Sequence, residues 1–477
     1  MKHIFRPLST LLVTAALAGC TTTQTQTQTT TSATTAAGKE SSVAAQQNSP
    51  QVSLVTQAVA TQNAPKVQVH SFKTLPLVGT AYFPKQFSYG QGGWSGASRV
   101  QTRPGVLVQD EIWTVNDRGL NLYLEAKDSR DNLKFSDGDR YFPVPQFNQT
   151  LFRIKLSPSG EGSIVEQISL MAQGAPTDGL PSSIPELATG EKPFEMKSPK
   201  GPFAKLASSP RGFDFEGVAQ SFDQDGQREF WLVEEYGPSI LRADARGNIT
   251  KRWSPAKNHS ALPLSLPWVI RQRSDNRGFE GVSVSGDYVL AALQSPLDAK
   301  GGPTGERGHG NKNTAIHRLI RIQRSTGLVE QFAYVHSESA IKAGGTHRDV
   351  KIGDLAALDE SGNRFLVLEH SNARKHMALY EARITPKTTR LLDSNAHETG
   401  KAPYTPVETR LVADLASLLV GLELPEKAEG VTLLDEKTVA IVFDNDHCIE
   451  PLLAGKSAPK ECENLIVTIG FANPIFR

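Results

Sequence analysis

The stretch RGFDFEGVAQ, Arg211 to Gln220, returns in shortened form as RGFEGVSV, Arg277 to Val284, and again as KAEGVTLL, Lys427 to Leu434. In each, a basic residue precedes a Glu-Gly-Val core, and a turn and an apolar strand follow. The strand after Glu216 reads FWLVEEYG and carries Glu234 and Glu235; the one after Glu429 reads TVAIVFDND and ends in Asp444 and Asp446. A weaker copy, DLAALDESGNRFLVLEHSN, has Asp354 in the Glu position and Glu369 at the strand end. Upstream, GGWSGASRV followed by EIWTVNDRG, with Asp117 and Arg118, has the same layout without the first acid. Five copies of one unit indicate a propeller, solenoid or array.

Each unit reads as an inner strand, a second strand ending in acid, and an outer hairpin; LFRIKL with SIVEQISL, ILRADARGNITKRW and LIRIQRSTGLVEQFAYV supply hairpins. That is the four-stranded blade of a propeller. The expected fold is therefore all-β, a β-propeller of five to six four-stranded blades with a central acid-lined channel. The sixth blade would lie between Asp117 and Arg211, and NLIVTIGF near the C-terminus would close the ring on the strand near Phe72 to Phe83. A β-sandwich is the alternative, although it does not require five similar units. Glu408 to Leu424 is the best helix candidate. Pro176 to Pro210 and Ser295 to Thr314 read as long loops, the second carrying Arg307, His309 and Lys312.

The N-terminus is a targeting segment: Lys2 and Arg6, an apolar Leu11 to Ala18, then Leu17-Ala18-Gly19-Cys20. That ending resembles a bacterial lipoprotein signal over residues 1–20, which implies a lipidated Cys20, and the Thr rather than Asp residues after it resemble the signal for an outer-membrane address in the cell envelope. Residues 21–66 are Thr, Gln, Ser and Ala with almost no large apolar side chain, a tether that cannot fold. The folded domain is expected over 67–477. Such a chain is held on the membrane by its anchor alone. An oxidising periplasm would let Cys448 and Cys462 pair. With 51 Lys and Arg against 50 Asp and Glu, the composition gives no reason to expect nucleic acid as a partner. A monomer is expected.

Matching positions of inner strands face one axis, so Glu216, Glu280, Asp354 and Glu429 would form a ring of acids. One reading makes this a structural charge network with Arg211, Arg277 and Lys427. The other makes it a site for calcium or another divalent cation, with Asp117, Glu234, Asp354, Glu369, Asp444 and Asp446 as metal ligands. Glu216, Glu280 and Glu429 are then the catalytic candidates, and Arg118, Arg211, Arg277 and His309 the substrate-binding ones. His347 and His370 are further histidine candidates by position. No GxSxG, GxxxxGK[ST], HExxH or CxxC occurs, which removes the corresponding mechanisms.

RGFDFEGVA, EEYGP, NRGFEGVSV, the DLAAL unit with FLVLEHSN, and KAEGVTL with FDND together resemble the phytase-like family described as esterase-like activity of phytase. The resemblance runs from about Val78 to the C-terminus. It implies a propeller-like fold in an exported protein and, more broadly, hydrolysis of phosphate or carboxylate esters. By motif, the family's Glu residues carry over onto Glu216, Glu280 and Glu429. One departure is Leu368-Glu369-His370, where such sequences tend to read Leu-Glu-Arg. Two functions follow as expectations: a metal-assisted hydrolase of small anionic esters, or a non-catalytic propeller that binds a ligand or an envelope protein.

Overall fold

The computed structural model describes residues 64–72, 75–129, 133–255, 264–298, 314–343, 345–371, 375–448 and 463–475. In the strand Arg228–Glu234, successive side chains point to opposite faces, and both faces are buried. Phe230 and Leu232 pack with Trp113, Val115 and Leu151 of the preceding sheet, whereas Trp231 and Val233 pack with Phe279, Val282 and Leu293 of the following one. The strands Tyr288–Leu293, Arg364–Ser371 and Thr438–Asp444 behave alike, and Val106–Asn116 does so from Ile112 onward. This is why they read as continuous apolar runs rather than alternating ones.

Five mainly antiparallel sheets follow from this pattern, the first four built inward to outward in chain order. The first holds Trp94–Arg103, Val106–Asn116, Thr150–Leu156 and Gly162–Ser169. The second holds Phe215–Phe222, Arg228–Glu234, Ser239–Asp244 and Ile249–Ser254, extended by the short Leu264–Ser265. The third is Phe279–Ser285, Tyr288–Leu293, Ile316–Gln323 and Val329–Val335. The fourth is Val350–Ala357, Arg364–Ser371, Met377–Arg383 and Glu408–Asp414. The fifth joins Lys427–Leu433, Thr438–Asp444 and Leu465–Gly470 to Lys66–Ser71, an N-terminal strand that supplies its outer edge.

A hydrophobic cluster fills each of the five gaps between neighbouring sheets, including the gap between fifth and first, where Ala440, Val442 and Ile466 meet Trp94, Ile112 and Phe152. The inner strands touch in the same cyclic order. A Cβ on Gly96, Gly217, Gly281, Gly353 or Gly430 would come within 2.7 Å of the backbone of the next inner strand around the cycle. Glycine recurs in the repeated core because the backbones meet there. The arrangement is propeller-like, all-β and built from four-stranded sheets.

Several expectations shift. The interval from Asp117 to Arg211 contributes the outer hairpin of the first sheet and a separate small sheet of Leu122–Tyr123, Asp139–Tyr141, Lys192–Glu195 and Ala204–Lys205. That sheet stands outside the cycle of glycine contacts, so the described residues hold five repeating sheets and not six. The closing partner of Leu465–Gly470 is Lys66–Ser71, while Leu77–Ala81 pairs with Phe87–Gly90. Glu408–Asp414 is a strand and only Leu415–Leu418 is helical, since cross-strand pairing with Ala378 to Arg383 outweighs the apolar periodicity that suggested a helix. Among the described residues no helix is long and apolar enough to cross a membrane.

Candidate functional site

In the inner strands the ladder register slips at the repeated core: between Phe215 and Gly217, Phe279 and Gly281, and Ala428 and Gly430. The residue skipped each time is the glutamate. A bulged residue leaves the ladder, and such bulges re-aim side chains. Glu216, Glu280 and Glu429 converge so that one carboxylate oxygen from each lies within 4.8 Å of the others, all three buried. A second group, Asp214, Glu216 and Glu235, shares Glu216 with the first.

In the fourth sheet the slip falls between Ile352 and Asp354, which puts Gly353, not Asp354, at the glutamate position. This corrects the alignment of that copy on its acid. The Asp354 carboxylate instead accepts backbone N–H bonds from Ala97 (2.9 Å), Val282 (3.3 Å), Leu355 (2.7 Å) and Val431 (2.9 Å), tying the first, third and fifth inner strands to its own. Its oxygens are taken up by the fold. Ala97, Val282 and Leu355 also line a cavity of about 300 Å³ at the far ends of the inner strands.

The glutamates are in the opposite condition. Neither Glu280 oxygen has a hydrogen-bond partner, and one oxygen of Glu235 has none; Gln294 lies close enough to favour the charged form of Glu280 without forming a hydrogen bond of good geometry. Burial first, and neighbouring carboxylates second, push Glu216 and Glu280 well above the usual range. Burial also raises Glu429, lifts Asp214 to about 7 and Glu235 to about 8. Carboxylates so placed stay protonated or hold a cation. Oxygens on opposite sides of a calcium ion, at about 2.4 Å each, stand about 4.8 Å apart, so the trio fits a hard divalent ion and offers up to about six oxygens.

Two or three residues before the bulge positions come Lys427 and Lys351 on their inner strands and Arg277 just ahead of its own, about 6–10 Å further out at the rise of a strand. They form the floor of a cavity of about 560 Å³ that also includes Arg118, Asp117, Asp446 and His447. Its wall is Phe83, Pro84 and Leu120 to Tyr123, the last belonging to the small sheet inserted in the first repeat. Asp446 and His447 both have positive φ, an uncommon conformation for such residues, and it turns them into this cavity.

The expected pairing of Arg277 with Glu280 and Lys427 with Glu429 is not what the side chains do. Lys427 meets Asp444 (3.1 Å) and Asp446 (2.5 Å), and Arg277 meets Glu235 (3.6 Å). Arg211 donates to the Pro176 carbonyl instead of meeting Glu216. Arg118 lies at the cavity but is held by Glu191 (2.9 Å), Tyr236 (2.7 Å) and Asn276 (3.1 Å). Glu234 faces away, paired with Arg252 (2.9 Å) and the Gly237 amide. Glu369 accepts from Tyr334 (2.9 Å) and Ser337 and meets His376 (2.7 Å). Asp117 lies 3.7 Å from His447 and caps the Gly119 amide. Thus Glu234, Asp354 and Glu369 are drawn into local networks, while Asp117, Asp444 and Asp446 surround the cation layer.

His309, Cys20 and Cys462 lie outside the described residues, and with Cys462 the proposed disulfide to Cys448. Sequence reading leaves Glu234 and Glu235 as alternatives for one strand-end acid, of which Glu235 joins the cluster, and it passes over Asp214, Lys351 and His447. Asp214 and Glu235 stood inside quoted motifs. Lys351 becomes visible once copies are aligned on the bulge, since it precedes Gly353 as Lys427 precedes Glu429.

Among curated protein sequences none matches this chain. Solved structures share only coarse likeness. The PQQ-bound aldose sugar dehydrogenase of Streptomyces coelicolor is 10% identical with TM-score 0.31, covering 84% of this chain and 98% of its own. A protein of unknown function from Dyadobacter fermentans is 11% identical with TM-score 0.28, covering 85% and 99%. A GH43 β-1,3-galactosidase is 10% identical with TM-score 0.29, covering 65% and 83%. The model of the phytase-like family, described as esterase-like activity of phytase, matches residues 92–447, a span that includes every bulged glutamate and the whole cation layer, and the chain belongs to that family.

Proposed function

We propose that this chain is an envelope-anchored, metal-assisted hydrolase of small anionic esters, phosphate or carboxylate, working at one mouth of a five-bladed β-propeller with an acid-lined axis. Cys20 would carry the lipid and residues 21–66 the tether, with the domain acting as a monomer. The observation that carries the reading is the Glu216–Glu280–Glu429 cluster, in which the Glu280 carboxylate is buried without a hydrogen-bond partner. Buried charges are otherwise paired or bound to metal.

Calcium or another divalent ion held by this trio would polarise an ester oxygen and acidify a bound water. The chain's own residues do the rest. Arg277 and Lys351 face the cavity from the layer above the acids and would orient the anionic part of the ester. Phe83, Leu120 and Leu122 wall the cavity and would keep bulk water from the reacting group. Asp214 and Glu235 extend the acid cluster toward Arg118 and would hold its geometry.

The test is thermal unfolding of the full-length protein with calcium and with excess chelator, alongside hydrolysis of nitrophenyl phosphate and nitrophenyl acetate. A cation that binds the native state raises the melting temperature by mass action. The expected result is stabilisation by calcium and a rate that falls on chelation and drops at least about 100-fold in Glu280→Gln. A melt and a rate that ignore both calcium and chelator would leave the second reading, a ligand-binding propeller without turnover.

A further inference from the structure

Six cations line the 560 Å³ cavity, and five of them have a carboxylate partner. Arg118 and Arg140 share Glu191 at 2.9 and 3.0 Å. Lys127 pairs with Glu125 at 2.7 Å, Arg277 with Glu235 at 3.6 Å, and Lys427 with Asp444 and Asp446. Lys351 differs: among the described residues no carboxylate lies within ion-pair distance of its amine and no hydrogen-bond acceptor meets it. It is half-buried, it faces the cavity, and it stands between Arg277 and Lys427. A half-buried cation repelled from two sides and without an ion-pair partner is an unfavourable arrangement that an incoming anion would relieve. Burial and the repulsion of those two neighbours lower its pKa, against the weaker pull of Glu429 and Glu280 below.

We propose that Lys351 is the anchor of an oxyanion site, receiving the phosphate, sulfate or carboxylate group of a ligand that enters the cavity. The compact ammonium offers three donors and, among the described cations of the lining, the one positive charge without a carboxylate partner. Arg277, whose link to Glu235 is long, can turn one N–H toward the same anion. Arg118 and Arg211 are less suited to the primary contact, because Arg118 is already engaged through Nη1 and Nε by Glu191, Tyr236, Asn276 and Asp214, and Arg211 lies on the Pro176 carbonyl. This names the anion-reading residue of the proposed hydrolase site and rests on that reading only for its location.

The experiment is run without substrate and in chelator, so that failure of the metal or of turnover leaves it unaffected. Melting of the full-length protein is followed against phosphate, sulfate and acetate at constant ionic strength, with chloride as the reference. At least one oxyanion should give a saturable rise in melting temperature. Lys351→Met should weaken its apparent affinity about 10- to 100-fold, as expected for the loss of a charge-assisted hydrogen bond, and Lys351→Arg should keep most of it. In the unaltered protein the same oxyanion should protect Lys351 from an amine-directed reagent, a readout that does not depend on a variant folding. Equal affinity in Lys351→Met, no protection of Lys351, or no response to any of the three oxyanions would overturn the assignment.

Discussion

Asp354 and Glu280 are both carboxylates, both buried, and both near the axis of the same set of inner strands, yet their surroundings are opposite. Four backbone amides from four strands point at Asp354. None points at Glu280. The difference arises from one residue of register. At the bulge the glutamate leaves the ladder, while the following position faces the amides of neighbouring strands; where that position is glycine the backbones touch, and where it is Asp354 a carboxylate stitches them together. A satisfied buried acid contributes to the fold, and an unsatisfied one calls for a partner that the fold itself does not supply.

The largest effect should come from removing the satisfied acid. Asp354→Ala strands four buried N–H donors in the first, third, fourth and fifth inner strands, and the chain should lose about 3–5 kcal/mol of stability. Asp354→Asn should recover little, because its NH₂ would face two of the same donors. Denaturant unfolding in chelator measures both. A loss under about 1 kcal/mol for Asp354→Ala would break the contrast between the two carboxylates.

His317 sharpens the comparison from the other side, as a buried ionisable group satisfied in its neutral form. Its ring lies 2.9 Å from His336, which lies 2.9 Å from His347. Burial pulls His317 down to about 4. The unfolded ring takes up a proton near pH 6.5 that the folded ring refuses, so its contribution is complete above 6.5 and is lost as pH falls toward 4. The buried acids with raised pKa slope the opposite way, losing stability as pH rises. A difference measurement therefore isolates the histidine: from pH 7 to pH 5 the stability gap between the natural protein and His317→Gln should move by about 2 kcal/mol in favour of the variant. No movement would show a solvated ring.

Adjacent Glu234 and Glu235 repeat the contrast within one strand end. Glu234 completes a buried pair with Arg252, so Glu234→Gln should destabilise by about 1–2 kcal/mol and leave the calcium response intact. Glu235→Gln should do the reverse, weakening the calcium-induced rise in melting temperature with little change in chelator. Equivalent behaviour of the two variants would remove the distinction.

Much of the fold could be read from the repeated Glu-Gly-Val core, because a strand buried on both faces followed by turn residues leaves a strong local signal. The acids at Glu216, Glu280 and Glu429 could be read for the same reason. Strand-end acids could not. Whether Glu234 or Glu235 faces the axis depends on where the strand Arg228–Glu234 ends, one residue deciding between Arg252 and the acid cluster. Asp354 was misaligned because an acid was matched to an acid, whereas the conserved geometry is the bulge. Lys351 stayed hidden behind the same shift. The closing strand Lys66–Ser71 lay inside polar sequence adjoining the tether, and only pairing with Leu465–Gly470 gives it structure.

The smallest effect on stability is expected at Glu280, and its sign decides the most. Burial first, then Glu235 and Glu429, push the Glu280 carboxyl well above its usual range and so favour its neutral form, to which Glu280→Gln in chelator is close in shape and charge. The change should be within about 1 kcal/mol, and stabilising if any negative charge is relieved. With calcium present the order reverses, since the amide brings one neutral oxygen in place of a carboxylate and the natural protein alone should gain stability from the ion. Unfolding of both proteins in the two conditions gives four numbers and one interaction energy. If Glu280→Gln is strongly destabilising in chelator, the carboxyl has structural partners after all, and the acid trio belongs with Asp354 rather than opposite it.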